Sequence, residues 1–214
     1  MRHGFVKVAA ATPDIRVADV EFNKENICRG IEEAEKANAK ILVFPELCVT
    51  GYTCSDLFDH AVLLKAAKKA LLEIAEFTRD RDLLVFVGVP LEVDGKLYNV
   101  AAALNHGKIL GLTTKTFLPN YGEFYEMRQF RPGPDTARWI TLDGKKIPFG
   151  PQLLFVAEQM EELVVSAEIC EDVWSPIPPS TLAAREGATV IVNCSASDET
   201  IGKAAYRESL IEGQ

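Results

Sequence analysis

The stretch Ile41-Leu42-Val43-Phe44-Pro45-Glu46 decides how this chain folds. Its first four residues are apolar and rich in β-branched side chains, which predicts a buried strand. Pro45 cannot donate to a strand ladder, so the strand stops there and Glu46 falls at its carboxyl end. A strand with no polar alternation is typical of a sheet covered on both faces. The stretch therefore predicts an α/β protein that carries a carboxylate at a sheet edge.

Strand-like and helix-like segments alternate on both sides of this stretch. Further strands are predicted at residues 5–11, 83–89, 163–169 and 188–193, and a hairpin at 98–105 and 108–114. Apolar residues at helical spacing predict helices around residues 23–34, 64–74, 181–186 and 204–211. Asn23 is the expected cap of the first helix, and residues 117–133 have no regular pattern. The alternation predicts a mixed sheet with helices on its faces.

The length, charge and cysteine content of the chain exclude several classes of protein. A chain of 214 residues suits one domain. It carries 23 Lys and Arg against 31 Asp and Glu, a net charge of -8, which argues against a broad nucleic-acid or anionic-membrane surface. We find no long apolar span and no signal peptide, and the 5 cysteines form no CxxC pair. These features predict a cytoplasmic protein with reduced thiols and without a metal site.

Three ionisable residues follow predicted strands: Glu46, Lys115 and Cys170. Sites in α/β sheets gather at the carboxyl ends of strands. A base, a cation and a thiol are the parts needed for acyl transfer through a thioester, with Cys170 as nucleophile, Glu46 as proton carrier and Lys115 holding the oxyanion. Free Cys and Glu differ by about 4 pKa units, so this chemistry requires a closed, dry pocket. We expect burial to raise the pKa of Glu46, and Lys115 to lower that of Cys170.

Each of the three residues alone also fits a structural role. Free cysteines are among the most buried residues, and this interpretation is adopted for Cys28, Cys48, Cys54 and Cys194. The wider sequence favours chemistry for Cys170. Three segments occur in order: Phe44-Pro45-Glu46-Leu47, Lys115-Thr116-Phe117-Leu118-Pro119-Asn120 and Glu168-Ile169-Cys170-Glu171-Asp172.

These segments resemble the nitrilase superfamily of carbon–nitrogen hydrolases, whose triad is Glu, Lys and Cys. The longer stretches 47–58, 118–126 and 168–174 are similar to the amino-terminal glutaminase domain of glutamine-dependent NAD(+) synthetases. The resemblance covers nearly the whole chain. It implies a four-layer α-β-β-α sandwich of mixed sheets flanked by helices. It also implies catalytic roles for Glu46, Lys115 and Cys170, with Glu123 as a second glutamate that orients Lys115 or the hydrolytic water.

The resemblance further implies which residues bind the substrate. On the loop after the lysine, Tyr121, Phe124 and Glu126 either bind glutamine, with Glu126 on its ammonium group, or only pack. Trp174 either completes the oxyanion hole through its backbone N–H or walls the pocket with its ring. Ser197 and a basic residue are expected near the substrate's α-carboxylate. The basic residue is Lys203, with Arg207 one turn further on as the alternative.

The activity implied is hydrolysis of glutamine, with the ammonia passed to a synthetase domain that amidates nicotinic acid adenine dinucleotide. The resemblance assigns ATP and Mg to that synthetase domain. The present sequence has no GxxxxGK[ST], GxGxxG or Ser-Gly-Gly-x-Asp-Ser phosphate-binding loop, so no cofactor is expected within residues 1–214. We expect residues 1–214 to be a glutaminase domain incomplete at its C-terminus, in a homo-oligomer. The alternatives are a free-standing amidase or carbamoylase, and a scaffold without catalysis.

Overall fold

A computed structural model describes residues 4–214. Its four helices are α1 (Val20–Lys36), α2 (Ala61–Phe77), α3 (Pro179–Arg185) and α4 (Lys203–Gly213). Its first five strands are β1 (Val8–Ala10), β2 (Ile41–Val43), β3 (Leu84–Val93), β4 (Lys96–Asn105) and β5 (Lys108–Thr114). The other five are β6 (Arg138–Leu142), β7 (Lys145–Gly150), β8 (Leu154–Ala157), β9 (Met160–Ile169) and β10 (Val190–Cys194).

The strands form two mixed sheets. The larger has the order β1-β2-β3-β4-β5-β7-β6, with β1, β2 and β3 parallel and β3, β4 and β5 antiparallel. The smaller has the order β10-β9-β8, with β10 parallel and β8 antiparallel to β9. Glu46 and Lys115 therefore follow strands of the larger sheet, whereas Cys170 follows β9 of the smaller one.

Successive side chains of the strands point to opposite faces of the larger sheet and form two hydrophobic cores. On β3, Val85, Val87 and Val89 face α1 and α2, while Phe86 between them faces the smaller sheet. The second core joins Phe86 to Val165 and other apolar residues of β9 and β10. Helix α3 packs against β9 on the far side. The order of layers is helix, sheet, sheet, helix, and the predicted α-β-β-α fold class is confirmed.

The helices and most strands match the sequence prediction, including the hairpin that turns at His106-Gly107, where both residues have positive φ. The prediction for the start of α1 is wrong. Asp19, not Asn23, caps this helix by accepting the N–H of Phe22 at 3.2 Å. Asn23 lies inside the helix and its amide bonds to Arg16 and Val49, which leaves it no capping role.

Three strands were not predicted: β6, β7 and β8. They are short, and β6 and β7 are joined by an Asp143-Gly144 turn with φ values of 50° and 74°. Asp-Gly is a typical hairpin signal, so this turn could have been found from the sequence. At the N-terminus the predicted strand 5–11 shortens to β1, with Phe5 81% exposed.

Candidate active site

Glu46 lies in a turn that packs over the middle of β3, around Gly88. The Phe44 N–H donates to the Phe86 carbonyl at 2.9 Å, and the Val49 N–H donates to the Gly88 carbonyl at 3.2 Å. Between them, Leu47 has a left-handed φ of 50°. Gly88 has no side chain, which lets the turn lie directly on β3. The result is a carboxylate with only 1% of its surface exposed.

Lys115 follows β5 and is fixed on both sides of its backbone. Its N–H donates to the Asn99 carbonyl at 3.0 Å, and its carbonyl accepts the Gly133 N–H at 2.9 Å. The side chain is fully buried, and its Nζ lies 2.6 Å from Oε1 of Glu46 and 2.5 Å from Oε1 of Glu126. The structure therefore brings Glu46 and Lys115 together as the sequence predicted, and adds Glu126.

Cys170 stands at the turn where β9 ends and a short 3₁₀ segment, Cys170–Trp174, begins. Its φ is 43°, in the left-handed region that a side chain disfavours. The Cys170 N–H donates to Oδ1 of Asn193 at 3.1 Å, and the Asn193 amide donates to Oε1 of Glu168 at 3.2 Å. The turn is thus held from the neighbouring strand β10.

Asp172 joins the Cys170 turn to the segment after Lys115. Its Oδ2 accepts the Ile169 N–H at 3.0 Å. Its Oδ1 accepts the N–H groups of Thr116 and Phe117 at 3.0 and 2.8 Å. The carboxyl is 1% exposed, and burial raises its pKa to about 7 despite these three bonds. One side chain thereby connects the two sheets where Lys115 and Cys170 lie.

The charges around Cys170 favour a neutral thiol at rest. Burial first, and then the Glu46 carboxylate, raise the pKa of Cys170 to about 12, while Lys115 pulls it down. The expected lowering by Lys115 is present, but burial and Glu46 outweigh it. Burial also lowers the pKa of Lys115, yet Glu46 and Glu126 outweigh that effect and raise it, so the ammonium stays charged. Removal of the thiol proton therefore needs a base in contact with the reacting group.

Glu123 was expected to orient Lys115 or the hydrolytic water, but the second glutamate in contact with Lys115 is Glu126. Glu123 is exposed and lines the outer part of a cavity of about 200 Å³ that Tyr52 and Glu126 also line. Glu126 is 4% exposed, and its Oε1 accepts from Lys115 and, at 2.8 Å, from the Tyr52 hydroxyl. Burial and Glu46 raise the pKa of Glu126. Its Oε1 is bonded to Lys115 and Tyr52 and its Oε2 faces the Asn99 amide, an arrangement that does not favour a role on the substrate's ammonium group.

Two aromatic residues of the loop after Lys115, Tyr121 and Phe124, form a row of packed rings with Tyr52. Phe124 packs edge-on between Tyr52 and Tyr121, with ring centroids 6.2 and 6.1 Å apart. The Tyr121 hydroxyl donates to Glu171 at 2.9 Å, so the residue next to Cys170 is tied to the loop. Tyr121 is 59% exposed and Phe124 is half-buried. The row runs from the buried carboxylates to the surface beside Glu171.

The remaining predicted residues gather around α4. Lys203 forms an ion pair with Asp198 and lies 5.6 Å from the ring of Trp174. Trp174 also stacks on Tyr206 at 5.7 Å. Ser197 is half-buried one residue before Asp198. Lys203 thus lies next to Trp174, and the alternative Arg207 is likewise ion-paired, with Glu199 at 3.2 Å.

Several residues that shape the site were not singled out from the sequence. They are Tyr52, Asn99, Asp172, Asn193 and the backbone N–H of Ala196, which donates to Oε2 of Glu46 at 3.2 Å. Asn99 is a polar residue directly before the apolar run 100–104 of β4, a signal that could have identified it. Within residues 4–214 no cluster of His, Cys, Asp and Glu is arranged to hold a metal, and no helix is long and apolar enough to cross a bilayer.

A second, larger cavity of about 490 Å³ lies elsewhere, on the helical face of the larger sheet. It is lined by the start of α1, by His60 and by α2, and none of Glu46, Lys115 or Cys170 borders it. Size alone would favour this cavity as a site. The buried ion pairs and the strained cysteine instead favour the region around Lys115.

Comparison with known proteins agrees with this geometry. The family model described as carbon-nitrogen hydrolase matches residues 7–210, and the chain belongs to this family. Within it, the chain is 39% identical over 207 residues to the glutamine-dependent NAD(+) synthetase of Mycobacterium leprae, covering 97% of this chain and 30% of that protein. The chain therefore spans about a third or less of the curated relatives it matches.

Solved structures give the same result. The glutamine-dependent NAD(+) synthetase from Cytophaga hutchinsonii superposes with a TM-score of 0.86 at 34% identity, over 97% of this chain and 33% of that one. An amidase from Nesterenkonia sp. superposes with a TM-score of 0.66 at 24% identity, over 92% of this chain and 70% of that one. The second likeness shows the shared fold alone.

Proposed function

We propose that this chain hydrolyses the side-chain amide of glutamine through a thioester on Cys170. The observation that carries the proposal is the buried Lys115 ammonium, held between Glu46 and Glu126 beside a cysteine in a strained turn. The relatives named glutamine-dependent NAD(+) synthetases support glutamine as the substrate. Membership in the carbon-nitrogen hydrolase family supports cleavage of a carbon–nitrogen bond.

In the first half-reaction, the Cys170 sulfur attacks the amide carbon while Glu46 takes the thiol proton. Proton removal and attack occur together, because a thiol whose pKa is about 12 supplies little free thiolate near neutral pH. The negative charge that develops on the amide oxygen is stabilised by the buried Lys115 ammonium. Glu46 then returns the proton to the nitrogen, the carbon–nitrogen bond breaks, and ammonia leaves.

In the second half-reaction, water attacks the thioester carbon and Glu46 takes its proton. The tetrahedral intermediate again places its oxyanion on Lys115. It collapses to glutamate, and the sulfur leaves and regains the proton from Glu46. Glu126 takes no proton in this sequence. It holds the Lys115 ammonium in place with the help of Tyr52.

The substrate would be recognised by polar and aromatic side chains around Cys170 and Trp174. The Tyr121 hydroxyl fixes Glu171, and that carboxylate is suited to the substrate's ammonium group. Phe124 provides an apolar wall for the methylene chain. Lys203 and Ser197, next to Trp174, are suited to the α-carboxylate once Lys203 releases Asp198.

The ammonia would be used by an ATP-dependent synthetase domain outside residues 1–214, which amidates nicotinic acid adenine dinucleotide to NAD(+). ATP and Mg would belong to that domain. The described residues do not fit them, since they include neither a metal-binding cluster nor a glycine-rich phosphate loop. A cytoplasmic location and a homo-oligomer are part of the same proposal.

The test is ammonia release from glutamine by the wild-type chain and by Cys170→Ala, with Cys28→Ala as a control for loss of a thiol away from Lys115. Cys170→Ala is expected to abolish release and Cys28→Ala to preserve it. Acid quenching followed by mass spectrometry should find a γ-glutamyl group on Cys170 of the wild type. Full activity of Cys170→Ala would overturn the proposal, and cleavage of simple aliphatic amides in preference to glutamine would favour a free-standing amidase.

A further inference from the structure

Asn99 lies at the centre of the larger sheet, on β4, directly beneath the buried charges. Its side-chain Nδ2 donates to Oε1 of Glu46 at 2.6 Å and faces Oε2 of Glu126 at 3.4 Å. Its backbone carbonyl accepts the N–H of Lys115 at 3.0 Å. A single residue, 1% exposed, therefore contacts all three members of the ion cluster.

The other end of the Asn99 side chain has no hydrogen-bond partner. Among residues 4–214, its Oδ1 is a buried oxygen that accepts no bond. A buried polar atom without a partner costs free energy and calls for an explanation. Turning the amide over would place Oδ1 against two carboxylates, which is worse. The observed orientation therefore directs the amide N–H groups of Asn99 to Glu46 and Glu126 and leaves its carbonyl oxygen without a hydrogen bond.

The balance of charge explains why donors are needed there. Glu46 and Glu126 carry two negative charges, and Lys115 supplies one positive charge, all within the buried interior. Tyr52 and Cys170 also face this cluster, and both are neutral near pH 7 since their pKa values are raised. Asp172, whose pKa is raised to about 7, and Tyr121 interact electrostatically with Lys115, and the buried Cys194 interacts with Glu46; Tyr121 and Cys194 are neutral near pH 7 because their pKa values are raised. The amide of Asn99 is therefore the uncharged donor shared by both carboxylates, and it favours their ionised forms.

We propose that Asn99 is a positioning residue that keeps the carboxylates of Glu46 and Glu126 turned toward Lys115 and charged, so that Glu46 is ready to accept the thiol proton. This inference rests on the proposed glutaminase function and deepens it. Asn99 touches no reacting atom in the mechanism, and its effect reaches the chemistry through the two glutamates.

The proposal is tested by the pH profile of kcat/KM for glutamine in Asn99→Leu and Asn99→Asp. Both variants keep a side chain that branches at Cγ and remove the donors; Asn99→Leu is larger than asparagine, whereas Asn99→Asp keeps its size and adds a third carboxylate. The acid limb of the profile is expected to move to higher pH, by about one unit in Asn99→Leu and further in Asn99→Asp. Below the limb, kcat/KM then falls about tenfold relative to wild type.

Asn105→Leu is the matched control, because Asn105 ends the same strand and its amide donates to the Leu83 carbonyl at 3.1 Å, remote from the cluster. It is expected to leave the acid limb in place. A merely structural role for Asn99 would lower kcat equally at all pH values. An unmoved acid limb in both Asn99 variants would therefore overturn the proposal.

A second measurement separates this proposal from the proposed function. Carbon-13 NMR of glutamate carboxyls, assigned with Glu46→Gln and Glu126→Gln, follows the ionisation of the cluster without any turnover. The titration midpoint is expected to rise in Asn99→Leu and to stay in Asn105→Leu. A wild-type chain that cannot hydrolyse glutamine would defeat the glutaminase assignment alone, whereas identical titrations in wild type and Asn99→Leu would defeat the role of Asn99.

Discussion

Replacing Gly88 by alanine should disable the site without touching an ionisable residue. Gly88 lies on β3 under the turn that carries Glu46. A Cβ built there would lie 2.4 Å from the Leu47 nitrogen and the Pro45 oxygen, and 2.7 Å from the Glu46 carbonyl carbon. All three are backbone atoms, so no side-chain rotation relieves the contact. Ordinary contacts begin near 3.4 Å, and the turn must therefore retreat by about 1 Å.

That displacement acts directly on the 2.6 Å bond between Glu46 and Lys115. A movement of about 1 Å takes this bond out of hydrogen-bond range and costs on the order of 100-fold in rate. Overpacking also destabilises the fold by about 1–3 kcal/mol, which leaves most of a domain of ordinary stability folded. We expect kcat for glutamine hydrolysis to fall about 100-fold in Gly88→Ala, with a moderate decrease in Tm.

Gly111→Ala provides the comparison. Its Cβ would meet Cδ1 of Leu153 at 2.9 Å and Cε1 of Phe155 at 3.0 Å, which are side-chain atoms that can move. It should lose less stability than Gly88→Ala and keep its rate. The assay is ammonia release alongside thermal unfolding of both variants. A folded Gly88→Ala with the wild-type kcat would refute the argument that the contact between β3 and the turn sets the position of Glu46.

Two further predictions follow from the charges of the site. Glu126→Gln should lower kcat for glutamine about 100-fold because it removes a charge that holds Lys115. The exposed Glu123 provides the control, and Glu123→Gln should keep a kcat near that of the wild type. The reverse order of the two variants in an ammonia-release assay would contradict the geometry. The pKa of Cys170 is raised to about 12, so its thiolate fraction grows with pH throughout the neutral and alkaline range. The rate of its alkylation by iodoacetamide, measured by mass spectrometry, should therefore rise about tenfold per pH unit from pH 7 to 10. A plateau of this rate near pH 8 would contradict the raised pKa.

The positions of Glu46, Lys115 and Cys170 were predictable because each follows an apolar strand, and strand ends gather at one edge of a sheet. That β9 belongs to a second sheet was not readable from its composition. Parallel strands buried on both faces have the same apolar pattern in either sheet. The two-sheet architecture came from the resemblance to a family rather than from periodicity.

The choice between Glu123 and Glu126 shows where the sequence stops being informative. Both lie in a segment without helical or strand periodicity, so spacing says nothing about direction. In the structure a short 3₁₀ turn, Glu126–Arg128, begins at Glu126 and its carboxylate points inward. Hydrogen bonds from Tyr52 and Lys115, which are 74 and 11 residues away, decide this orientation. Such long-range partners cannot be inferred from local patterns.

The burial of Lys115 has a consequence for the direction from which a substrate must approach. An ammonium group carries three hydrogens. Within residues 4–214, its hydrogen-bond partners are Glu46 and Glu126, which occupy two of them. One hydrogen is left for an incoming carbonyl, and tetrahedral geometry fixes where it points. The enzyme should consequently present a single face of the planar amide to the sulfur, and both tetrahedral adducts should have the same handedness.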